Sequence, residues 1–340
     1  MFDARNPRRA AASPATAGLP ALALTLTLAL AGCLQSGSAA GEEAPPRGTE
    51  TCRLRNAAIR ESSGLAASRR TPGVFWTHND SGGGARLFAF DARGRDLGTF
   101  ALKTLALDWE DMAAVTLKGK HYLLVADTGD NWRLRPAVTL HWLEEPAVEL
   151  PADGAAPRPA PGNGQLAVKS VSFRFPDGSH DCESVAVDPA DGRVYLATKE
   201  ARGNACGVYA LPGALDAPDF PGREKPGEPP KPPVAELVCR VRIPSATGMD
   251  ISPDGLRMVV VTLRDGYEFR RAEGEEWKKA LARKPRAVVL PRRSQGESVC
   301  YDTAGRFLYL TSECHAKDPA CPLYRVEVPA DAGARLRDAD

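Results

Sequence analysis

The sequence predicts an all-β protein, a β-propeller of five four-stranded blades with six blades as the alternative count. Three observations carry that prediction. An acidic residue leading into an apolar strand, a Gly-containing turn and a second apolar strand recurs five times along the chain. The repeats are marked by residues 61, 110, 183, 250 and 297, with spacings of 49, 73, 67 and 47 residues. The shorter spacings match one four-stranded blade, and the longer ones a blade with loops. Finally, 31 Gly and 29 Pro among 340 residues suit a fold built from turns, while Lys+Arg 44 against Asp+Glu 43 lacks the basic surplus of a nucleic-acid binder.

The N-terminal segment reads as an export signal. Arg5, Arg8 and Arg9 precede an apolar run from Leu19 to Ala31. A run of about thirteen residues is too short to span a bilayer but suits the h-region of a signal peptide. It ends in Leu30-Ala31-Gly32-Cys33, which resembles the lipobox of bacterial lipoproteins. The resemblance implies a signal peptide over 1–32, cleavage before Cys33, lipidation (palmitate) of that cysteine, and anchorage of a monomer in the bacterial cell envelope. The absence of Asp at position 34 resembles lipoproteins sent to the outer membrane. Residues 33–50 read as a flexible tether with a reach of about 20–25 Å. Loss of 1–32 changes the formal charge from +1 to −1.

The five repeats fill residues 51–340 as a single domain. They pair Glu61–Ser68 with Val74–Asp80, Asp108–Val115 with Tyr122–Asp127, and Asp181–Asp188 with Val194–Glu200. They continue with Gly248–Gly255 before Met258–Arg264, and Gly296–Asp302 before Phe307–Glu313. Apolar runs of four to six residues bounded by Gly, Asp and Pro are strands buried on both faces, and Asp-Gly pairs are hairpin turns. Residues 53–59 are expected to pair with the last blade and close the ring. Pro-rich stretches at 146–163 and 213–233 are loops, and the helix-prone segment 273–284 lies outside the ring.

Glu61-Ser-Ser-Gly-Leu, Trp76-Thr-His-Asn-Asp, Asp108-Trp-Glu-Asp-Met and Ala126-Asp-Thr-Gly-Asp-Asn131 resemble a group of uncharacterised bacterial secreted propeller proteins. Cys182-Glu-Ser-Val and Gly296-Glu-Ser-Val are similar to the repeat of phytase-like and esterase-like propellers. The phytase-like resemblance implies clustered carboxylates that bind calcium and phosphate.

The first strand of each blade lines the central channel, so acids at its start and at the end of the next strand share one end of the barrel. Glu61, Asp80, Glu110, Asp127, Glu183, Glu200, Glu297 and Glu313, joined by Asp250, are the expected ring, accompanied by His78, Lys199 and Arg264. Such a ring repels itself unless cations neutralise it, and calcium takes six to eight oxygens in flexible geometry. Calcium is therefore the expected cofactor, with a small polar or phosphorylated ligand. Two functions follow: a non-catalytic binding or scaffold module, or a calcium-dependent hydrolase of phosphate or carboxylic esters. His78 is the acid/base candidate. Asp127-Thr-Gly-Asp130-Asn131 lacks an EF-hand's distal Glu and reads as a turn. Eight cysteines suit an exported chain. Cys314–Cys321 and Cys182–Cys206 are the expected disulfides, with Cys52 paired to Cys239 or Cys300.

Overall fold

The computed structural model describes residues 48–80, 83–152, 155, 164–200, 205–211, 232–314 and 320–328. All belong to the compact unit Pro45–Asp340. The expected signal peptide, Cys33, the tether as far as residue 47, most of 146–163 and nearly all of 213–233 lie outside the described residues.

The strands form five sheets arranged as the five blades of a β-propeller, and the six-blade alternative is set aside. Strand β1 (Thr49–Arg53) precedes blade 1, which contains β2 (Ser62–Ala67), β3 (Val74–Asn79), β4 (Arg86–Asp91) and β5 (Asp96–Leu102). Blade 2 contains β6 (Trp109–Leu117), β7 (Lys120–Asp127), β8 (Val138–Glu144) and β10 (Lys169–Phe173). The short β9 (Gln165–Leu166) runs parallel to β5 at the outer edge of blade 1. Blade 3 contains β11 (Cys182–Val187), β12 (Val194–Thr198), β13 (Cys206–Ala210) and β14 (Glu236–Val241). Blade 4 contains β15 (Gly248–Ile251), β16 (Arg257–Val261), β17 (Gly266–Arg270) and β18 (Arg286–Val288). Blade 5 contains β19 (Cys300–Tyr301), β20 (Phe307–Leu310) and β21 (Pro322–Glu327), and β1 completes it.

The burial patterns follow from this radial order. Every residue of β2, β11 and β15 is buried, because an inner strand has neighbouring blades on both faces. The outermost β10, β14 and β18 are largely exposed and carry Lys169, Arg240 and Arg286, charges that protect a sheet edge. The inner hairpins turn at Gly192 and Gly255, whose φ values of 75° and 71° lie in the left-handed region that a glycine adopts without strain.

Ring closure by an N-terminal strand is as expected, but the strand is Thr49–Arg53 rather than 53–59. Asn56 ends it: its side-chain oxygen accepts from Ala58 N–H and its carbonyl from Ile59 N–H, turning the chain. Leu54 and Ile59 then bury themselves between blades 1 and 5. Helix α1 (Trp277–Leu281) sits between β17 and β18 and packs Trp277, Ala280 and Leu281 against blades 3 and 4. Trp277 Nε1 donates to Asp188 Oδ2 at 3.0 Å, tying the helix to blade 3.

The Cys314–Cys321 disulfide is formed, with Cα atoms 5.0 Å apart. Cys182 and Cys206 are not bonded, and Cys52, Cys239 and Cys300 are also free thiols. Strand β12 separates the first pair: Cys182 is the ladder partner of Thr198, whose hydroxyl accepts from Gly207 N–H on the far side. Two strand spacings of about 4.8 Å exceed the reach of a disulfide.

Inner strands of successive blades splay apart, which leaves their facing backbone groups without ladder partners. Buried side chains fill these seams. Asp111 Oδ2 accepts from Val185 N–H at 2.8 Å and Met249 N–H at 3.1 Å, so one carboxyl joins blades 2, 3 and 4. Asp250 Oδ2 accepts from Tyr301 N–H at 2.8 Å, joining blades 4 and 5. Ser63 and Thr128 hydroxyls donate to the Glu110 and Cys182 carbonyls.

Candidate metal centre at the channel mouth

At the mouth, a residue shortly past a blade's second strand bonds back to one shortly ahead of its first. Asp80 N–H donates to Glu61 O at 3.0 Å, Lys199 N–H to Asp181 O at 2.8 Å, and Glu313 N–H to Gln295 O at 3.1 Å. These closures gather the acidic side chains on one end of the propeller.

The pairing of β6 with β7 shifts register between Trp109 and Asp111, and that of β11 with β12 between Cys182 and Ser184. Glu110 and Glu183 are the extra residues at these two bulges. A bulge re-aims its side chain out of the ladder's alternation, and here both glutamates turn to the mouth. The β15–β16 ladder runs without a shift. Asp250 therefore stays in the alternation and points into the seam described above, which corrects its expected place in the ring.

Two groups of three carboxylates result, Asp80/Asp108/Glu110 and Glu110/Asp181/Glu183, each with oxygens within 4.8 Å of one another. Glu110 belongs to both. It is 5 % exposed, and no described residue hydrogen-bonds or ion-pairs with its carboxylate. Gly129 lies directly over it, where a Cβ would displace the Glu110 and Asp108 carboxylates from this arrangement. Asp108 and Asp181 were not among the expected ligands. Their signal was the Asp-x-Glu spelling shared by 108–110 and 181–183.

Of the eight expected ligands, Asp80, Glu110 and Glu183 meet in these groups. Glu297 and Glu313 are hydrogen-bonded neighbours, and Glu61 adds its charge to theirs. Asp127 and Glu200 are engaged elsewhere. Asp127 accepts from Leu107 N–H at 3.0 Å and pairs with Arg135 at 2.7 Å, thereby placing the backbone that carries Asp108. Glu200 pairs with Arg133 at 2.7 Å and approaches His180 at 3.3 Å. Asp130 accepts from Leu134 and Arg135 N–H, the turn expected for 127–131.

Burial and mutual repulsion raise the carboxyl pKa values. Burial, then the charges of Asp108, Glu297 and Glu61, pushes Asp80 up to about 7. Burial pushes Glu183 up to about 8 even though the Lys199 ammonium is paired with it. Glu313 rises to about 8 through burial and its hydrogen bond with Glu297. Glu110 is pushed well above the carboxylate range by burial and by Glu183, Asp80 and Asp108. Beyond the single positive charge of Lys199, the site limits its negative charge by holding protons, a role that a divalent cation can take over.

His78 stands apart from this chemistry. It is fully buried beneath the inner strands, edge-on to Trp109 with ring centroids 5.4 Å apart, and burial pushes its pKa down to about 4. Arg264 is exposed at the end of blade 4 rather than among the acids.

No family model and no curated protein matches this chain. Among solved structures, one described as "Structure of U3-55K" is 11 % identical, covering 78 % of this chain and 68 % of that one with a TM-score of 0.32. A likeness at that level carries nothing about function.

Proposed function

We propose that the protein is a lipid-anchored, extracytoplasmic binding module whose channel mouth holds a divalent cation, calcium, and through it a small polar or phosphorylated ligand. The observation that carries the reading is Glu110, a 5 % exposed carboxylate shared by two carboxylate groups and left without a partner among the described residues. An unpaired buried charge is costly, and a cation repays that cost. An all-oxygen donor set selects hard cations, and irregular spacing on bulges and loops suits calcium better than the strict octahedron of magnesium. His78, the acid/base candidate of the sequence, is sealed in the interior and takes no part at the mouth.

Thermal unfolding tests the cation. Calcium added after chelation is expected to raise the melting temperature by several degrees. Glu110→Gln is expected to abolish that rise while making the chelated protein slightly more stable, since it removes repulsion. A chelated wild type that ignores calcium would sink the reading. The envelope assignment rests on the order of cationic segment, apolar run and Leu-Ala-Gly-Cys33. Detergent-phase partitioning of the exported protein, lost in Cys33→Ser, is the expected result; equal partitioning of both would remove the anchor.

A further inference from the structure

A second charged cluster, at the rim of blade 4, is cationic. Chain leaving β18 crosses from the rim of blade 4 to the start of β19 and, with the end of β16, encloses a cleft of about 500 Å³. Arg264, Leu290, Pro291, Arg292 and Arg293 line it. None of these three arginines forms an ion pair with a carboxylate of the described residues, unlike Arg133, Arg135 and Lys199 at the acidic side.

Arg293 is the unusual member. It is 9 % exposed, and its Nη2 donates to Thr262 O at 3.1 Å. Its Nε and Nη1 are buried without an acceptor among the described residues. Glycine at 296 makes this placement possible, because a Cβ there would overlap the guanidinium. Burial pushes the guanidinium down to about 10 against the opposing fields of Tyr324 and Asp265, and Asp265 forms no salt bridge with it. A buried guanidinium with two idle donors carries the full cost of desolvation, which an oxyanion accepting from either of them offsets. Arg264 and Arg292, both exposed on the same cleft, add the positive field that draws an anion in.

We infer that the cleft between blades 4 and 5 is an oxyanion-binding site in which Arg293 anchors, and Arg264 and Arg292 steer, a carboxylate- or phosphate-type group. It gives the ligand of the proposed function a place in the molecule, and it does not depend on the cation.

The test is thermal unfolding of the purified protein in chelator, at constant ionic strength set with sodium chloride, with sodium phosphate, sulfate or acetate titrated in. A saturable rise of about 3 °C at tenfold the dissociation constant is expected for at least one anion. A rise with phosphate and sulfate assigns tetrahedral oxyanions, and one with acetate assigns carboxylates. Arg293→Met should remove the rise and, in chloride alone, melt no lower than the wild type, because an apolar chain replaces an unpaired charge. Should that variant fail to fold, Arg264→Gln with Arg292→Gln decides, with about a tenfold loss of affinity expected. The site is overturned by no rise with any anion, by a rise unchanged in the variants, or by a rise that needs calcium, which would put the anion on the metal instead.

Discussion

Replacing Asp111 with alanine is expected to destabilise the protein by about 4 kcal/mol, since buried N–H groups left without acceptors cost roughly 1–3 kcal/mol each. Three lose their acceptor at once: Val185 and Met249 on the neighbouring blades, and Met112 at 2.8 Å on Asp111's own strand. Part of the loss is returned because the alanine no longer holds a carboxyl in the dry interior, where burial pushes its pKa well up. Asp111→Asn separates hydrogen bonding from packing. Its carbonyl can still serve Val185 and Met249, while its amide opposes the Met112 N–H, so about half the cost is expected. Denaturant unfolding reads both values. An alanine variant within about 1 kcal/mol of wild type would mean that the blades are held together by side-chain packing alone.

Without metal, the protein is expected to lose stability as pH rises from 5 to 9. In the folded state Asp80 titrates near 7, and Glu183 and Glu313 near 8, all above the ordinary carboxylate range. The native protein therefore binds protons that the unfolded chain has already released. The stability these protons confer is complete below the unfolded values near 4 and is lost as pH climbs through 7 and 8. The expected loss across the cluster is on the order of 4 kcal/mol, at about 1.4 kcal/mol per pKa unit with screening and the Lys199 pair taken into account. Lys199 stays charged throughout, because Glu183 holds its pKa up against the opposing effect of burial. Calcium is expected to flatten or reverse the slope and to release protons on binding near pH 7, because it takes the place of the protons. Melting curves at pH 5, 7 and 9, with chelator and with calcium, check both signs. Chelated protein that grows more stable toward pH 9 would show that the carboxyls are ionised and individually satisfied.

Much of the acidic mouth was legible because its residues recur. Glu110 and Glu183 occupy the same place in two repeats, and an inner strand followed by its antiparallel neighbour brings Asp80 and Glu110 to one end of the propeller. Direction was not legible. Asp250 has the same local spelling as the glutamates, an acid beside a short apolar strand, yet it faces the seam between blades. The difference is one bulged residue in β6 and β11 that β15 lacks. A bulge leaves no mark on apolar periodicity, since it changes the register of hydrogen bonds and not the order of residue types. Asp127 and Glu200 were drawn away for another reason: the loop after β7 carries Arg135 back onto Asp127 and Arg133 across to Glu200 of blade 3.

The propeller fold, the inner strands and their hairpins, the closure by an N-terminal strand and the Cys314–Cys321 bond were legible in the sequence, which left five or six blades open. Most depend on local pattern or short separation along the chain; ring closure, which pairs Thr49 with Arg325, follows instead from the repeat, because the last blade lacks an outer strand of its own. The packing of blades against one another settled which acids meet, that Cys182 and Cys206 stand two strands apart, that His78 is sealed in the interior, and that Arg293 is buried without an ion-pair partner among the described residues. These depend on the strand spacing of about 4.8 Å, on one-residue shifts of register and on desolvation, which act only when blades are side by side.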